Sequence, residues 1–147
     1  MRGNRMIITF CGHSDFMVNE KFEAALMQHL EDRAGDDAVF YLGSYGGFDD
    51  FALACAKKYK AKHPKAELFF ITPYLHTAQE DSAIDGTIYP EIENKLPRFA
   101  IVYRNRWMID RADLVIAYVD RCWGGAYQTY RYALSRGKEI LNLAAPH

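Results

Sequence analysis

Two glycine-rich segments could bind an anion, because each lies between an apolar run and a helix-like segment. Gly43–Gly47 has the sequence Gly-Ser-Tyr-Gly-Gly, and Trp123–Gly125 has the sequence Trp-Gly-Gly. Glycine lets backbone N–H groups approach a ligand without a Cβ in the way, and a helix N-terminus adds about half a positive charge. A single turn of this kind is equally consistent with an anion site and with a tight turn that binds nothing. Two such turns at the same sheet edge favour a phosphorylated ligand.

Neither segment matches the GxGxxG or GxxxxGK[ST] pattern, which disfavours standard dinucleotide or NTPase chemistry. A third segment, Arg104–Met108, brings together two arginines, an asparagine and a tryptophan. Arginine binds phosphate or carboxylate through two parallel hydrogen bonds, and an aromatic ring can stack on a base. The alternative is a solvated helix face with Trp107 and Met108 in the core. This alternative is slightly favoured for Arg106 and Trp107.

Single polar residues near the strand-like runs are further candidates. His13 follows the first run and is well placed for ligand contact, although a packing role is equally consistent. Asp49 lies where it would either charge the start of a helix or face a ligand. The five histidines show no metal-ligand spacing, so we expect no metal ion. No carboxylate lies between Asp120 and Glu139, which counts against glycosyl transfer with an acid from that segment.

The elements that must position these residues alternate along the chain. Apolar, β-branched runs predict strands, and apolar residues at helical spacing predict helices, with Asn19 or Asp15 as the first helix cap and Gly35 at its end. The predicted strands are Met6–Cys11, Ala38–Leu42, Glu67–Thr72, Leu114–Val119 and Glu139–Leu143. The predicted helices are Asn19–Arg33, Phe48–Lys62 and Ala126–Arg136.

Two segments between these elements have weaker patterns. Residues 73–97 hold three prolines and show no clear period, which predicts a long loop, and loops of that length are usually lids or binding loops. Arg98–Tyr103 is consistent with a short strand or an apolar connector. Arg104–Arg111 has the pattern of a helical turn or short helix.

The alternation of strands and helices predicts an α/β domain of the Rossmann-like, three-layer type. Its sheet of about five strands would be mostly parallel, because the nearly all-apolar strands are typical of a sheet covered on both faces. Ligands of such sheets bind outside the carboxyl ends of the strands. That rule selects four segments: Gly12–His13, Gly43–Asp49, Thr72–Tyr74 and Asp120–Gly125.

Composition limits the class of protein. The chain has 147 residues, of which 50% are apolar, and a net charge of −1. We therefore expect one folded domain over residues 1–147, with no broad nucleic-acid surface. No apolar run approaches the roughly 20 residues needed to span a bilayer. The three cysteines are far apart in sequence and fit neither a disulfide framework nor a metal knuckle, so we expect a cytoplasmic protein.

Four motifs resemble one known group of proteins. Phe10–Ser14 is similar to the Phe-Thr-Gly-His-Arg opening of the YpsA-like branch of the SLOG superfamily, and Gly43–Asp49 to its Gly-Gly-Ala-x-Gly-Phe-Asp turn. Arg104–Tyr118 follows its Arg-Asn-x-x-Met-Val-Asp-x-Ser-Asp-x-Leu-Ile-Ala-Tyr run, and Gly124–Ala133 its Gly-Gly-Thr/Ala-x-x-Thr…Tyr-Ala segment. The superfamily also includes the DprA/Smf proteins and the "lonely guy" phosphoribohydrolases. The resemblance extends from about residue 6 to residue 143.

The resemblance implies a domain that binds a nucleotide or a nucleotide-derived, ADP-ribose-like molecule, with no added cofactor. The phosphoribohydrolase branch cleaves the N-glycosidic bond of a nucleoside monophosphate with an Arg and a Glu. Arg104 and Met108 match its Arg-Lys-x-x-Met run, but its Pro-Gly-Gly-x-Gly-Thr turn and its Glu are absent here. Nucleoside deoxyribosyltransferases also place a Glu in the equivalent helix. An enzyme of either kind needs a relocated acid, for which Asp49, Glu80 and Asp110 are candidates.

The leading hypothesis is therefore a binding module for a nucleotide-type small molecule, with no direct evidence for nucleic acid and none for a membrane. An N-glycosidase or transferase, with Arg104 and Asp49 as catalytic candidates, and a regulatory interaction protein with a vestigial pocket are the alternatives. A homodimer is a reasonable expectation among related folds. The predicted ligand-binding residues are Gly12, His13, Gly43, Ser44, Gly46, Gly47, Asp49, Tyr74, Arg104, Asn105, Trp123, Gly124, Gly125 and Thr129.

Overall fold

A computed structural model describes residues 5–73, 81–90 and 99–144 of the chain. Within these residues six strands form one all-parallel sheet in the order β4-β3-β2-β1-β5-β6. The strands are β1 (Ile7–Gly12), β2 (Val39–Leu42), β3 (Glu67–Ile71), β4 (Gly86–Ile88), β5 (Leu114–Tyr118) and β6 (Glu139–Asn142). The helices are α1 (Glu20–Arg33), α2 (Gly47–Lys62), α3 (Ala100–Arg111) and α4 (Gly125–Ser135).

The sheet is the middle layer of three, because both of its faces are buried by helices. On one face Ile8 and Phe10 of β1 pack in a core with Leu26 of α1 and Phe48 of α2. On the other face a second cluster joins residues of β1 and β5 to α3 and α4, among them Cys11, Val115, Ile109 and Ala133. Burial on both faces explains why the strands lack polar alternation. The predicted Rossmann-like α/β fold is confirmed.

The helix ends follow the capping residues in the sequence. The Asn19 side chain accepts a hydrogen bond from the Phe22 backbone N–H at 2.8 Å, so Asn19, and not Asp15, caps α1. Gly35 lies just beyond the end of α1 with φ of 79°, a backbone conformation that favours glycine. No helix among the described residues is long and apolar enough to cross a membrane.

Two predictions between β3 and β5 were wrong. The segment predicted as a long loop contains β4, which pairs with β3 and is only three residues long, too short to show a period. The Asp85 carboxylate before it accepts from the Leu68 backbone N–H at 2.8 Å and pairs with Lys60 at 2.6 Å. The apolar run after residue 98 is not a strand but the first turn of α3. That helix buries Ala100, Arg104 and Met108 at four-residue spacing.

The order of the strands places a crevice at the carboxyl end of β1. The chain runs outward from β1 to β4 on one side of the sheet and then returns to β5 and β6 on the other. The loops after β1, β2 and β5 therefore meet at one edge of the sheet. Ligands of open α/β sheets bind at such a switch point.

Candidate functional site

A cavity of about 340 Å³ lies at this switch point, at the carboxyl ends of β1 and β5. Nine of the predicted binding residues line it: Gly12, His13, Asp49, Arg104, Asn105, Trp123, Gly124, Gly125 and Thr129. Gly43, Ser44, Gly46 and Gly47 lie outside its lining. Tyr74 and the carboxylate candidate Glu80 lie outside the described residues. The structure thus gathers residues from four separate motifs around one space.

Arg104 forms part of the cavity wall although only 3% of it is exposed. Its Nη1 donates to the Ile71 carbonyl oxygen at the end of β3 at 2.8 Å, and its Nε donates to Asn105 Oδ1 at 2.9 Å. The Asn105 amide in turn donates to Thr129 Oγ1 at 3.4 Å. These contacts hold a guanidinium, which is always charged, at a fixed place beside the cavity. A fixed cation of this kind is suited to a phosphate or carboxylate.

Asp49 lines the cavity next to Gly43 and Arg104. Its Oδ2 accepts from the Tyr45 backbone N–H at 2.9 Å. A Cβ on Gly43 would lie 2.9 Å from that oxygen and 3.4 Å from Arg104 Cζ, so glycine leaves room for both side chains. Burial raises the pKa of the Asp49 carboxyl to about 6, against the opposing effects of the Tyr45 hydrogen bond and the Arg104 charge. Asp49 is therefore a carboxyl that can carry a proton near neutral pH.

The first glycine turn packs against protein. The Gly47 backbone N–H donates to the Ser14 carbonyl at 2.7 Å. A Cβ on Gly47 would lie 2.4 Å from the Phe16 carbonyl oxygen, and one on Gly46, where φ is 93°, would lie 2.5 Å from Ser14 Cβ. The loop after β1 therefore covers the N-terminus of α2. Close packing against Ser14 and Phe16 explains why both positions are glycine.

The second glycine turn is open. Nothing lies within 4 Å of a Cβ added to Gly124 or Gly125, and both residues are exposed and line the cavity. Helix α4 begins at Gly125, and the first N–H groups of a helix have no partner within the helix. Gly124, with φ of 94°, turns the chain into α4 so that this end borders the cavity that Arg104 also borders. A cation and free backbone N–H groups are the two kinds of group that anion-binding sites use.

His13 is buried beside the cavity and acts as a hydrogen-bond acceptor. Its Nε2 accepts from the Asp120 backbone N–H at 3.2 Å. Burial, together with the nearby Arg121 charge, lowers the pKa of the imidazole below its usual value, although the Asp120 and Asp15 carboxylates oppose this. The neutral ring joins the loop after β1 to the loop after β5. Burial also raises the pKa of the neighbouring Cys11 thiol to about 12, so this cysteine is not a ready nucleophile.

The cavity lining includes residues that the sequence analysis did not select. Arg121 makes two hydrogen bonds to the Asp15 carboxylate, at 3.0 and 3.1 Å, and lies 5.0 Å from the Trp123 ring centroid. Tyr45, which is 64% exposed, also lines the cavity without being among the predicted binding residues. The position of these residues directly after β1, β2 and β5 was the available signal. The other unselected lining residues are Phe10, Cys11, Ser14, Ile101, Met108 and Ala126.

Within the described part of the chain, no group of three or more His, Cys, Asp or Glu side chains is arranged to hold a metal ion. The positively charged and N–H donor groups at the cavity are the Arg104 and Arg121 guanidiniums and the backbone at the start of α4. Besides the two arginines, the ionisable side chains in its lining are Asp49, Asp15, His13, Cys11 and Tyr45.

Comparison with known proteins relates the chain to others by fold. No family model and no curated protein matches it. A solved structure of DNA processing protein A from Helicobacter pylori, described for its unique single-stranded DNA binding mode, is similar with a TM-score of 0.61 and 16% identity. The alignment covers 92% of this chain and 64% of that one, so the chain spans less than two thirds of its length. A protein of unknown function, AQ665 from Aquifex aeolicus, aligns with a TM-score of 0.38 and 17% identity over 92% of this chain and 88% of that one.

The comparison corrects one expectation and supports another. A protein of the same fold binds single-stranded DNA, so the expectation that no direct evidence points to a nucleic acid was wrong. DNA processing protein A belongs to the DprA/Smf family of the SLOG superfamily. At the level of fold, this agrees with the superfamily that the sequence motifs resemble. The chain has the Rossmann-like α/β fold of that structural neighbour.

Proposed function

We propose that the cavity binds the phosphate of a nucleotide or of a nucleotide-derived molecule such as ADP-ribose. The observation that carries the proposal is the meeting of a buried guanidinium and an uncovered helix N-terminus at one cavity. Arg104 supplies charge-assisted hydrogen bonds, each worth roughly 1.5–3 kcal/mol, and the start of α4 supplies backbone donors. The motif resemblance to the YpsA-like branch supports the same class of ligand.

The remainder of the ligand would lie against the aromatic and polar rim. Trp123 presents an exposed ring at the mouth of the cavity, where a base can stack. Asn105 has a second amide N–H to offer a ribose oxygen, whereas Thr129 already donates its hydroxyl proton to the Gly125 carbonyl at 3.1 Å. The cavity volume of about 340 Å³ lies within the roughly 300–1,000 Å³ typical of small-molecule sites.

The phosphate has two chemical sources, a free nucleotide and a nucleic acid strand. The fold shared with a protein that binds single-stranded DNA supports the second source. Calorimetric titration with adenosine 5′-monophosphate, ADP-ribose and a short single-stranded oligonucleotide distinguishes them. A mononucleotide that binds at least as tightly as the oligonucleotide would assign the cavity to free nucleotides, and the reverse order would assign it to a strand.

Replacement of Arg104 tests the proposed phosphate contact. Arg104→Met keeps much of the side-chain volume and removes the charge, so we expect affinity for adenosine 5′-monophosphate to fall about tenfold or more. Affinity for adenosine, which has no phosphate, should change much less. Arg111→Met is the matched control, because Arg111 is an exposed arginine of the same helix.

Calorimetry measures the affinity of both variants for the nucleotide and the nucleoside, and circular dichroism checks that both variants are folded. An equal loss of affinity for the nucleotide and the nucleoside would show that Arg104 does not bind phosphate. An equal loss in Arg104→Met and Arg111→Met would show the same.

An N-glycosidase is the second candidate function, and Asp49 is the observation that favours it. A carboxyl whose pKa is raised to about 6 inside the cavity can donate a proton to a leaving base while water adds to the sugar carbon. Chromatography of nucleotides incubated with the protein tests this. Free base that appears with the wild type and disappears with Asp49→Asn would establish the enzyme, and intact nucleotide would exclude it for the compounds used.

A further inference from the structure

Charge is distributed unevenly between the two helical layers. Residues 100–138 contain seven Arg or Lys and three Asp, with no Glu, although the whole chain has a net charge of −1. In the α1–α2 layer, three lysines of α2 pair with carboxylates: Lys57 with Asp81 at 2.9 Å, Lys58 with Glu23 at 2.5 Å, and Lys60 with Asp85 at 2.6 Å. The α3–α4 side of the molecule therefore has a local excess of basic over acidic residues, although the whole chain does not.

The arginines of this layer lie on tyrosine rings. Arg106 Cζ lies 5.0 Å from the Tyr132 ring centroid, and Arg136 Cζ lies 5.9 Å from the same centroid. Arg131 Cζ lies 5.7 Å from the Tyr127 centroid, and its Nη1 donates to the Tyr127 hydroxyl at 3.0 Å. We call these five residues the arginine–tyrosine face.

Two of the three arginines have no carboxylate partner within the described residues. Arg136 pairs with Asp110 at 3.1 Å, whereas the contacts of Arg106 and Arg131 are to tyrosine. All three arginine residues are exposed, and both tyrosines are half-buried. A guanidinium held on a ring keeps its charge and most of its donors, so it is ready to bind an anion.

We propose that the arginine–tyrosine face binds the phosphate backbone of a single-stranded nucleic acid. Charge complementarity selects a polyanion, because the three guanidinium groups outnumber the neighbouring Asp110 carboxylate, which pairs with Arg136 and accepts from the Tyr132 hydroxyl at 2.8 Å. The face is formed by two helices packed side by side, which are together too broad for the major groove of a duplex, and this favours a flexible single strand. A second copy of the chain would bring like charges together.

This site is separate from the cavity. None of the five residues of the arginine–tyrosine face lines the cavity, whereas Arg104 of α3 and Gly125 of α4 do. The inference therefore does not depend on the proposed nucleotide site. Either can fail without the other.

A double variant tests the proposal. Arg106→Gln with Arg131→Gln removes two charges that contact only tyrosine within the described residues. Lys21→Gln with Lys62→Gln is the control, since both lysines are exposed in the α1–α2 layer and the net charge changes equally.

Fluorescence anisotropy with a labelled oligothymidine of about 20 nucleotides, at several salt concentrations, measures binding. We expect the arginine variant to lose about tenfold or more in affinity, and its salt slope to fall by about 1.4, while the control keeps wild-type binding.

Four results would overturn the proposal. The first two are that the wild type does not bind the oligonucleotide and that the lysine control loses as much affinity as the arginine variant. The third is that the arginine variant keeps wild-type affinity. The fourth is that sedimentation shows a dimer for the wild type and a monomer for the arginine variant. Loss of oligonucleotide binding in Arg104→Met, with binding retained in the arginine variant, would instead assign the strand to the cavity. Binding of adenosine 5′-monophosphate by the arginine variant reports separately on the cavity.

Discussion

At the scale of single residues, the cavity brings a guanidinium, an imidazole and a carboxyl group together from three different segments of the chain. Arg104, His13 and Asp49 were selected because their types suit anion binding or proton transfer, and the structure places all three at one cavity. Arg121 lies in the selected segment Asp120–Gly125 but was not named as a binding residue, because its link to Asp15 joins residues 106 positions apart. Gly46 and Gly47 satisfied the pattern of a phosphate turn, but a neighbouring loop covers them.

The raised pKa of Asp49 makes stability depend on pH in a defined window. Between its ordinary value of 3.8 and about 6, the unfolded chain has lost the proton that the folded protein keeps, so stability falls as pH rises and then levels off. Asp49→Asn removes this penalty. We expect the variant to gain about 1–2 kcal/mol relative to wild type between about pH 4 and pH 7, allowing for partial exposure.

Urea unfolding across that range measures the difference. Asp50→Asn, which removes a charge from the same helical turn, controls for the loss of an acidic residue near the start of α2. A difference between Asp49→Asn and wild type that stays constant with pH would contradict the account.

At the scale of elements, the two glycine turns differ in what they contact, and a pair of variants separates their roles. Gly47→Ala brings a Cβ to 2.4 Å from the Phe16 carbonyl oxygen, so we expect it to destabilise the fold by about 1–3 kcal/mol. Gly125→Ala meets open space and should leave stability unchanged or slightly raised. Thermal unfolding of both variants measures this. Equal stability of the two would contradict the packing described for the first turn.

The α1–α2 layer contains a pH-dependent contact of its own. His63, at the end of α2, lies 2.9 Å from Asp36 and 3.1 Å from Glu31, and these two hydrogen-bonded carboxylates raise the pKa of the imidazole above 6.5. The stabilisation is fully present below 6.5 and is lost as pH rises through the raised value. His63→Gln should therefore lower the melting temperature more at about pH 6 than at about pH 9. An equal decrease at both would contradict the assignment.

Element type could be predicted where the pattern was long. Helices α1, α2 and α4 and five strands follow the predicted spans within one or two residues. Strand β4 could not be predicted, because its pairing with β3 is made by the backbone and it has no apolar run. The start of α3 resembled a strand, because its apolar side chains are consecutive. Its helical burial spacing only becomes clear over three turns.

At the scale of the whole molecule, the fold was predictable and the distribution of charge was not. Alternating elements imply a parallel sheet and a crevice at its switch point, and the cavity lies there. The net charge of −1 does not reveal the contrast between the α1–α2 and α3–α4 layers, because a sum over the whole chain hides it. That contrast depends on which helices pack together on each face of the sheet.

The central claim is that this protein binds a phosphorylated nucleotide-type ligand in its cavity. The most direct test is the melting temperature of the wild type with nucleoside monophosphates, cyclic nucleotides, NAD and ADP-ribose, each beside its parent nucleoside. Ligand at about a hundredfold over Kd adds about 2.7 kcal/mol to the folded state, or a shift of about 5–10 °C for a chain of this size. The account predicts such a shift with at least one phosphorylated compound and little with its nucleoside. No shift with any compound, or an equal shift with nucleotide and nucleoside, would contradict it.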